Sequence, residues 1–210
     1  LKKQLQLSKN DTVRCDILDQ LIEIASEGEW QKYNEQMKDL ASKNLALKQS
    51  NRAVVVFSKY YARALHNQGI IYSEQSNDEK AIEYFNKSIE VSKKAGNKNE
   101  MAISLQSIAQ IDIRKGNNAK ALNQLYECLK IFEDEGDEIG VADVHLSIGD
   151  IAFFQRDYLK ALEHHKKSNE LYVKNKYNVA NLRKCTHELR IKQKMCIKYT
   201  KSKNLLSRIS

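Results

Sequence analysis

The sequence predicts an all-α fold, specifically a right-handed superhelical solenoid of antiparallel helix hairpins. Three observations carry this prediction: the chain has no proline and only 7 glycines, apolar residues recur at helical spacing, and one pattern repeats every forty residues. Sheet-rich folds usually recruit Gly and Pro for their turns, so this composition favours helices joined by short turns. No run of about 18 apolar residues occurs, so the sequence predicts no transmembrane segment.

The forty-residue pattern consists of small residues at fixed positions. Three stretches begin with a small residue at Gly69, Ala109 and Gly149, and each has an alanine twelve residues later, at Ala81, Ala121 and Ala161. Polar turns at 75–78, 115–118 and 155–157 separate two stretches of helical apolar spacing in each unit. Small residues let two helices approach closely, and a single hairpin cannot bury its apolar face, so we expect the units to stack.

These residues resemble the tetratricopeptide repeat, whose pattern has a small residue at its eighth position, alanine at its twentieth and an aromatic at its twenty-fourth. Gly69, Ala81 and Phe85 match all three, and Tyr72 matches the usual aromatic between them. The later units depart from the pattern, because Leu125 and His165 replace the aromatic, Asp112 and Ala152 replace the tyrosine, and the customary proline is absent. The resemblance covers residues 58–177 and implies a fold that binds proteins or peptides and is not an enzyme.

The predicted organisation has three parts. Residues 1–50 form an irregular N-terminal hairpin, 51–177 hold three repeats (about 58–97, 98–137 and 138–177), and 178–210 form a capping helix and a basic tail. In the N-terminal hairpin we expect Asp11 or Thr12 to cap the first helix. We expect Leu47 of the second helix to face inward. This part also resembles the sensor segments of bacterial signalling proteins, which implies a piece of a longer chain in the cytoplasm or the periplasm.

Charge is distributed unevenly along the chain. The whole chain carries +8, but Lys174–Ser210 has eleven Lys and Arg against the single acid Glu188, which gives +10 and leaves −2 for the rest. The basic residues from Lys192 to Arg208 are suited to an anionic membrane surface or, less favoured, to nucleic acid. The alternative for this tail is a solvated helix end.

Candidate catalytic or metal-binding groups are sparse. No nucleophile–base pair, phosphate loop or zinc motif occurs, so we predict neither catalysis nor a cofactor. His145, His164 and His165 form the best metal candidate, but adjacent helical residues point about 100° apart, which favours a packed His165. The four cysteines form no CxxC pair, and the acidic run 133–138 lacks the ligand spacing of a calcium loop.

The resemblance implies that the first helices of the repeats line a concave groove. In the third unit, Val144 and Ile148 lie on the packed side, Leu146, Asp150 and Phe153 lie opposite them, and Phe154 lies between, where the next helix would pack. Register and flanking positions extend this face to Arg63, His66, Ile70, Gln106, Gln110, Ile113 and Arg114. The set lacks the Lys and Asn of a carboxylate clamp, which favours a peptide or helix held by amides and apolar contacts.

The sequence therefore predicts a non-enzymatic protein- or peptide-binding module, the sensor or scaffold part of a larger bacterial signalling protein. One alternative is an adaptor that contacts nucleic acid or an anionic membrane through the basic tail. A second alternative is that the chain's own C-terminal helix fills the groove.

Overall fold

The computed structural model describes residues 1–26, 28–47 and 50–175, together with positions 194, 197 and 198. The described residues are helical throughout, apart from short connections. The α-helices are α1 (Lys2–Leu7), α2 (Asp11–Ile24), α3 (Trp30–Ala46), α4 (Asn51–Glu74), α5 (Asp78–Lys94), α6 (Lys98–Arg114), α7 (Asn118–Glu135), α8 (Glu138–Phe154) and α9 (Tyr158–Lys174). The predicted all-α fold of antiparallel helix hairpins is confirmed.

The chain divides into two compact units, residues 1–108 (unit 1) and 109–210 (unit 2). The predicted division into a hairpin, three repeats and a tail stays a prediction. The predicted capping helix and most of the basic tail lie outside the described residues. Within the described residues, no helix combines the length and the apolarity needed to cross a bilayer.

The N-terminal helices of unit 1 depart from the sequence prediction in two details. The side chain of Asn10 caps α2, because its Oδ1 accepts from the amides of Thr12 at 2.9 Å and Val13 at 3.2 Å. The expectation of Asp11 or Thr12 as the cap is therefore wrong by one or two residues. Leu47 is 55% exposed because α3 ends at Ala46, so its predicted inward position is also wrong.

The hairpin of α4 and α5 in unit 1 closes around a glycine. A Cβ placed on Gly69 would lie 2.6 Å from Cδ1 and Cε1 of Phe85, far inside van der Waals contact. The aromatic ring therefore occupies the space that the missing side chain leaves, and Phe85 is only 1% exposed. Close packing of this kind explains why the eighth position must be small when the twenty-fourth is a ring.

Unit 2 repeats this contact with a different ring. A Cβ on Gly149 of α8 would lie 2.3 Å from Cδ2 of His165 on α9, and His165 is fully buried. The interpretation of His165 as a core residue in the aromatic position is therefore confirmed. Gly140 and Phe132 make a similar contact where α7 meets α8, at 2.6 Å from a placed Cβ to the ring.

Candidate functional site

The residues predicted to face a partner all lie on the first helices of the repeats. Unit 1 holds Arg63, His66 and Ile70 on α4, and Gln106 on α6. Unit 2 holds Gln110, Ile113 and Arg114 at the end of α6, and Leu146, Asp150 and Phe153 on α8. Their contacts divide them into side chains that join neighbouring helices and side chains that stay partly open to solvent.

Arg63 joins three helices of unit 1. Its Nη1 lies 2.6 Å from Oδ2 of Asp19 on α2, and its Nη2 lies 3.4 Å from Oε2 of Glu100 on α6. The Glu100 side chain is only 3% exposed, and this burial raises its pKa, although Arg63 offsets part of the rise. A carboxylate so deeply buried needs the guanidinium as its counter-charge, so Arg63 has a structural role here.

His66 lies in a buried chain of hydrogen bonds. Ser88 Oγ donates to the carbonyl of Ala62 at 2.7 Å, and Ser104 Oγ donates to Ser88 Oγ at 2.9 Å. Because Ser104 uses its hydrogen on Ser88, its oxygen accepts from Nδ1 of His66 at 3.1 Å. Burial, assisted by Arg63, lowers the pKa of His66 to about 4 and so favours the neutral ring. Contact between His66 and a partner stays a prediction.

The buried His66 makes the stability of unit 1 sensitive to acid. Its pKa of about 4 in the folded protein lies below the value of 6.5 for the free side chain, so between these values the unfolded chain binds more protons. We expect the free energy of unfolding to fall as the pH drops from 6.5 towards 4, with about 2 kcal/mol lost at pH 5. Urea unfolding across this range checks the loss, and the variant His66→Gln should show a shallower pH dependence than the wild type.

In unit 2, Gln110 connects α6 to α8. Its Nε2 donates to Ser147 Oγ at 2.6 Å, and that hydroxyl donates to the carbonyl of Asp143 at 2.9 Å. The carboxylate of Asp143 accepts a short hydrogen bond from the hydroxyl of Tyr172 on α9. Burial raises the pKa of Asp143, and this hydrogen bond offsets part of the rise. These polar groups therefore hold three helices together.

Asp150 bridges the face of α8 and the interior of the hairpin. Its Oδ1 lies 3.0 Å from Nε2 of the fully buried His165. The contact orients the imidazole that occupies the space beside Gly149. Of the predicted site residues, Asp150 is thus the one whose environment depends most directly on the core of its own hairpin.

The other predicted residues keep part of their side chains open to solvent. Five of them are half-buried, namely Ile70, Gln106, Ile113, Leu146 and Phe153. The sixth, Arg114, is exposed. The ring of Phe153 packs edge-to-face against Phe154 at 6.0 Å and Tyr158 at 5.7 Å between centroids. Phe154 itself is 72% exposed. The following helix, against which it was expected to pack, lies outside the described residues.

The histidines of α8 and α9 form a hydrogen-bonded pair. Nδ1 of His145 lies 2.9 Å from Nδ1 of His164, and both side chains are buried. One nitrogen must donate and the other accept, so a single hydrogen occupies the gap and the accepting ring is neutral. Burial lowers the pKa of both, that of His164 to about 4. In the described part of the chain, no three His, Cys, Asp or Glu side chains come together as metal ligands.

Cys15 and Cys128 are inert core residues. Both are fully buried, and burial raises the pKa of each thiol to about 12. The reactive form of cysteine is the thiolate, which such a pKa suppresses at neutral pH. The acidic run at 133–138 covers the end of α7, a two-residue connection and the first residue of α8. In the connection, Gly136 has a φ of 71° and Asp137 caps α8 by accepting from the amide of Gly140.

Sequence reasoning did not find the tyrosine–aspartate pairs that join first helices to their neighbours. Tyr60 of α4 donates to Asp16 of α2, and Tyr172 of α9 donates to Asp143 of α8. Both tyrosines are buried and lie far from their partners in sequence, so helical periodicity carries no signal for them. The only clue in the sequence was the general rule that a buried hydroxyl needs a hydrogen-bond partner.

Residues 60–134 match the family model described as the tetratricopeptide repeat. The fold is similar to that of BtubC (BKLC) from P. vanneervenii, with a TM-score of 0.62 and 15% identity over 94% of this chain and 82% of that chain. None of the curated proteins is detectably similar to the chain in sequence.

Two further solved structures are similar. For aspartyl phosphate phosphatase F from Bacillus subtilis the TM-score is 0.69 at 11% identity, over 98% of this chain and 51% of that chain. For a signal-transduction ATPase (STAND) with a tetratricopeptide repeat sensor from Pyrococcus horikoshii it is 0.58 at 17% identity, over 92% of this chain and 29% of that chain. At these identities the similarity concerns the fold alone. Residues 60–134 therefore carry the tetratricopeptide repeat, and the helical fold of the chain is that of the similar repeat structures.

Proposed function

We propose that this chain is a non-enzymatic module that binds a protein or peptide on the first-helix faces of its repeats, as the sensor or scaffold part of a larger bacterial signalling protein. The tetratricopeptide repeat is generally a non-catalytic scaffold for protein partners. The similar STAND protein uses such repeats as its sensor. Both facts support a role in recognition.

The observation that carries the proposal is the apolar surface left on α8. Leu146 and Phe153 lie two helical turns apart on one side of α8, and both keep part of their side chains open to solvent. The polar neighbours Gln110, Ser147 and Asp150 are held by hydrogen bonds within unit 2. A partner on this face therefore contacts apolar side chains whose polar neighbours are held in place by hydrogen bonds. Such a surface suits the apolar face of an amphipathic helix.

In unit 1 the corresponding surface is smaller. Ile70 and Gln106 keep part of their side chains open to solvent, while Arg63 is committed to Asp19 and Glu100. We therefore rank the α8 face of unit 2 first among the two candidate surfaces. Arg63 contributes by fixing α4 against its neighbours.

The experiment is a selection of peptides from a displayed library on the full chain, followed by measurement of the dissociation constant. We expect Phe153→Ala to weaken binding about tenfold, which is typical for loss of a well-packed aromatic anchor. Val173→Ala on α9 is the matched control, because Val173 is an exposed apolar residue on a second helix. Unchanged binding in both Phe153→Ala and Leu146→Ala would contradict the proposal.

The salt dependence of binding distinguishes the proposed α8 surface from the alternative, binding through the basic tail. Binding through phosphates or anionic headgroups weakens steeply as salt is added, whereas apolar contact does not. If binding of the selected ligands falls steeply with added salt and is unchanged by Phe153→Ala, the adaptor hypothesis replaces the proposal of an α8 binding surface.

A further inference from the structure

The turn between α8 and α9 is flanked by two apolar side chains that are largely exposed to solvent. Phe154 is 72% exposed and Leu159 is 66% exposed, at the two sides of the turn 155–157. In the sequence register of the repeats, Phe154 corresponds to Glu74 and Arg114, and Leu159 to Glu79 and Ala119. The third repeat therefore places large apolar groups where the first two have charged or small residues.

This turn is rigid. The ring of Phe154 packs edge-to-face on Phe153, which packs in the same way on Tyr158, with centroid distances of 6.0 and 5.7 Å. Arg156 has a φ of 63°, in the left-handed region where the equivalent residue of the second repeat is Gly116. A non-glycine residue at this position is disfavoured, so the arginine is kept at a cost to the turn.

Among residues 109–175 of unit 2, charged side chains differ between the two ends of the helices. The end with the exposed aromatic holds the end of α6, the start of α7, the end of α8 and the start of α9. Its basic residues are Arg114, Lys115, Lys120, Arg156 and Lys160, against the acids Asp112 and Asp157. The opposite end holds the acids Glu133, Asp134, Glu135, Asp137 and Glu138 beside Lys174.

We propose that the α8–α9 turn end of unit 2 docks on an anionic lipid surface, with Phe154 and Leu159 inserted among the headgroups. Aromatic side chains prefer the membrane interface, and basic residues near the surface are attracted to anionic lipids.

The test is sedimentation of the full chain with vesicles of phosphatidylcholine alone or mixed with phosphatidylserine. We expect binding to the mixed vesicles, and Phe154→Ala should lower the partition coefficient about tenfold, equivalent to about 1.4 kcal/mol. Since Phe154 and Leu159 are exposed, their alanine variants should unfold like the wild type. Val173→Ala is the matched control, because Val173 is 55% exposed near the opposite end of α9.

A second variant addresses the basic side chains. Arg156→Gly relieves the left-handed backbone, so we expect it to be at least as stable as the wild type while it binds mixed vesicles more weakly. Three outcomes would overturn the proposal. The first is absence of vesicle binding. The second is salt-sensitive binding that is unchanged by Phe154→Ala and Leu159→Ala, which would assign the binding to the basic tail. The third is self-association through Phe154 without lipid binding.

Discussion

Phe85→Ala is expected to lower the free energy of unfolding of the chain by about 3–5 kcal/mol. The ring is 1% exposed, occupies the space beside Gly69 and lies 5.2 Å from the ring of His66. Alanine would leave a cavity between α4 and α5, which close-packed helices cannot fill without moving. Urea unfolding monitored by circular dichroism measures the loss.

A double-variant cycle identifies the cause as the fit between glycine and ring. Gly69→Ala alone should cost about 1–3 kcal/mol through overpacking, partly offset by the better helix propensity of alanine. In a Phe85→Leu background the same change should cost much less, because the second repeat buries Ala109 and Leu125 at these positions. Equal costs of Gly69→Ala in the two backgrounds would refute the steric explanation.

Arg63→Met is expected to lower the free energy of unfolding by about 3 kcal/mol. The change leaves the buried carboxylate of Glu100 without its counter-charge, while the methionine retains most of the apolar stem. Removing Arg63 raises the pKa of Glu100 in the folded protein further above its pKa in the unfolded chain. Between these two pKa values the folded protein binds more protons than the unfolded chain. Stability then falls as the pH rises, and the loss should be larger at about pH 8 than at about pH 5.

Two variants control for this interpretation. Arg63→Met combined with Glu100→Gln should recover part of the lost stability and abolish the added pH dependence, because the amide carries no charge. Lys94→Met removes an exposed partner of Glu90 and should cause no measurable change. A pH-independent loss in Arg63→Met would show that packing, and not the buried charge, is responsible.

Periodicity was sufficient to predict the helices of the repeats, but not α1 at the N-terminus. The predicted turns coincide with the connections 75–77, 115–117 and 155–157, and Val144 and Ile148 of the predicted stripe are fully buried. The helix boundaries of the N-terminal hairpin were less accurate, because an asparagine, an aspartate and a threonine in succession all have the chemistry of a cap. Only the backbone conformation selects Asn10 among them.

The candidate site could be predicted only as a set of positions. A helical wheel places His66 and Leu146 at the same repeat position, yet His66 is buried against Ser104 while Leu146 stays half-open. The difference arises from a hydrogen bond between helices, which joins side chains 38 residues apart. Likewise, the wheel placed Phe154 against a following helix, but its exposure depends on packing that no single-helix pattern contains.

The pairing of a small residue with its ring also determines how these repeats can be recombined. Each hairpin carries its own matched pair at the eighth and twenty-fourth positions: Gly69 with Phe85, Ala109 with Leu125, and Gly149 with His165. A chimera that exchanged single helices would set Ala109 against Phe85, where a methyl group has no room. Exchange of whole hairpins keeps each pair intact, so the hairpin, and not the helix, is the unit that duplication or protein engineering can move.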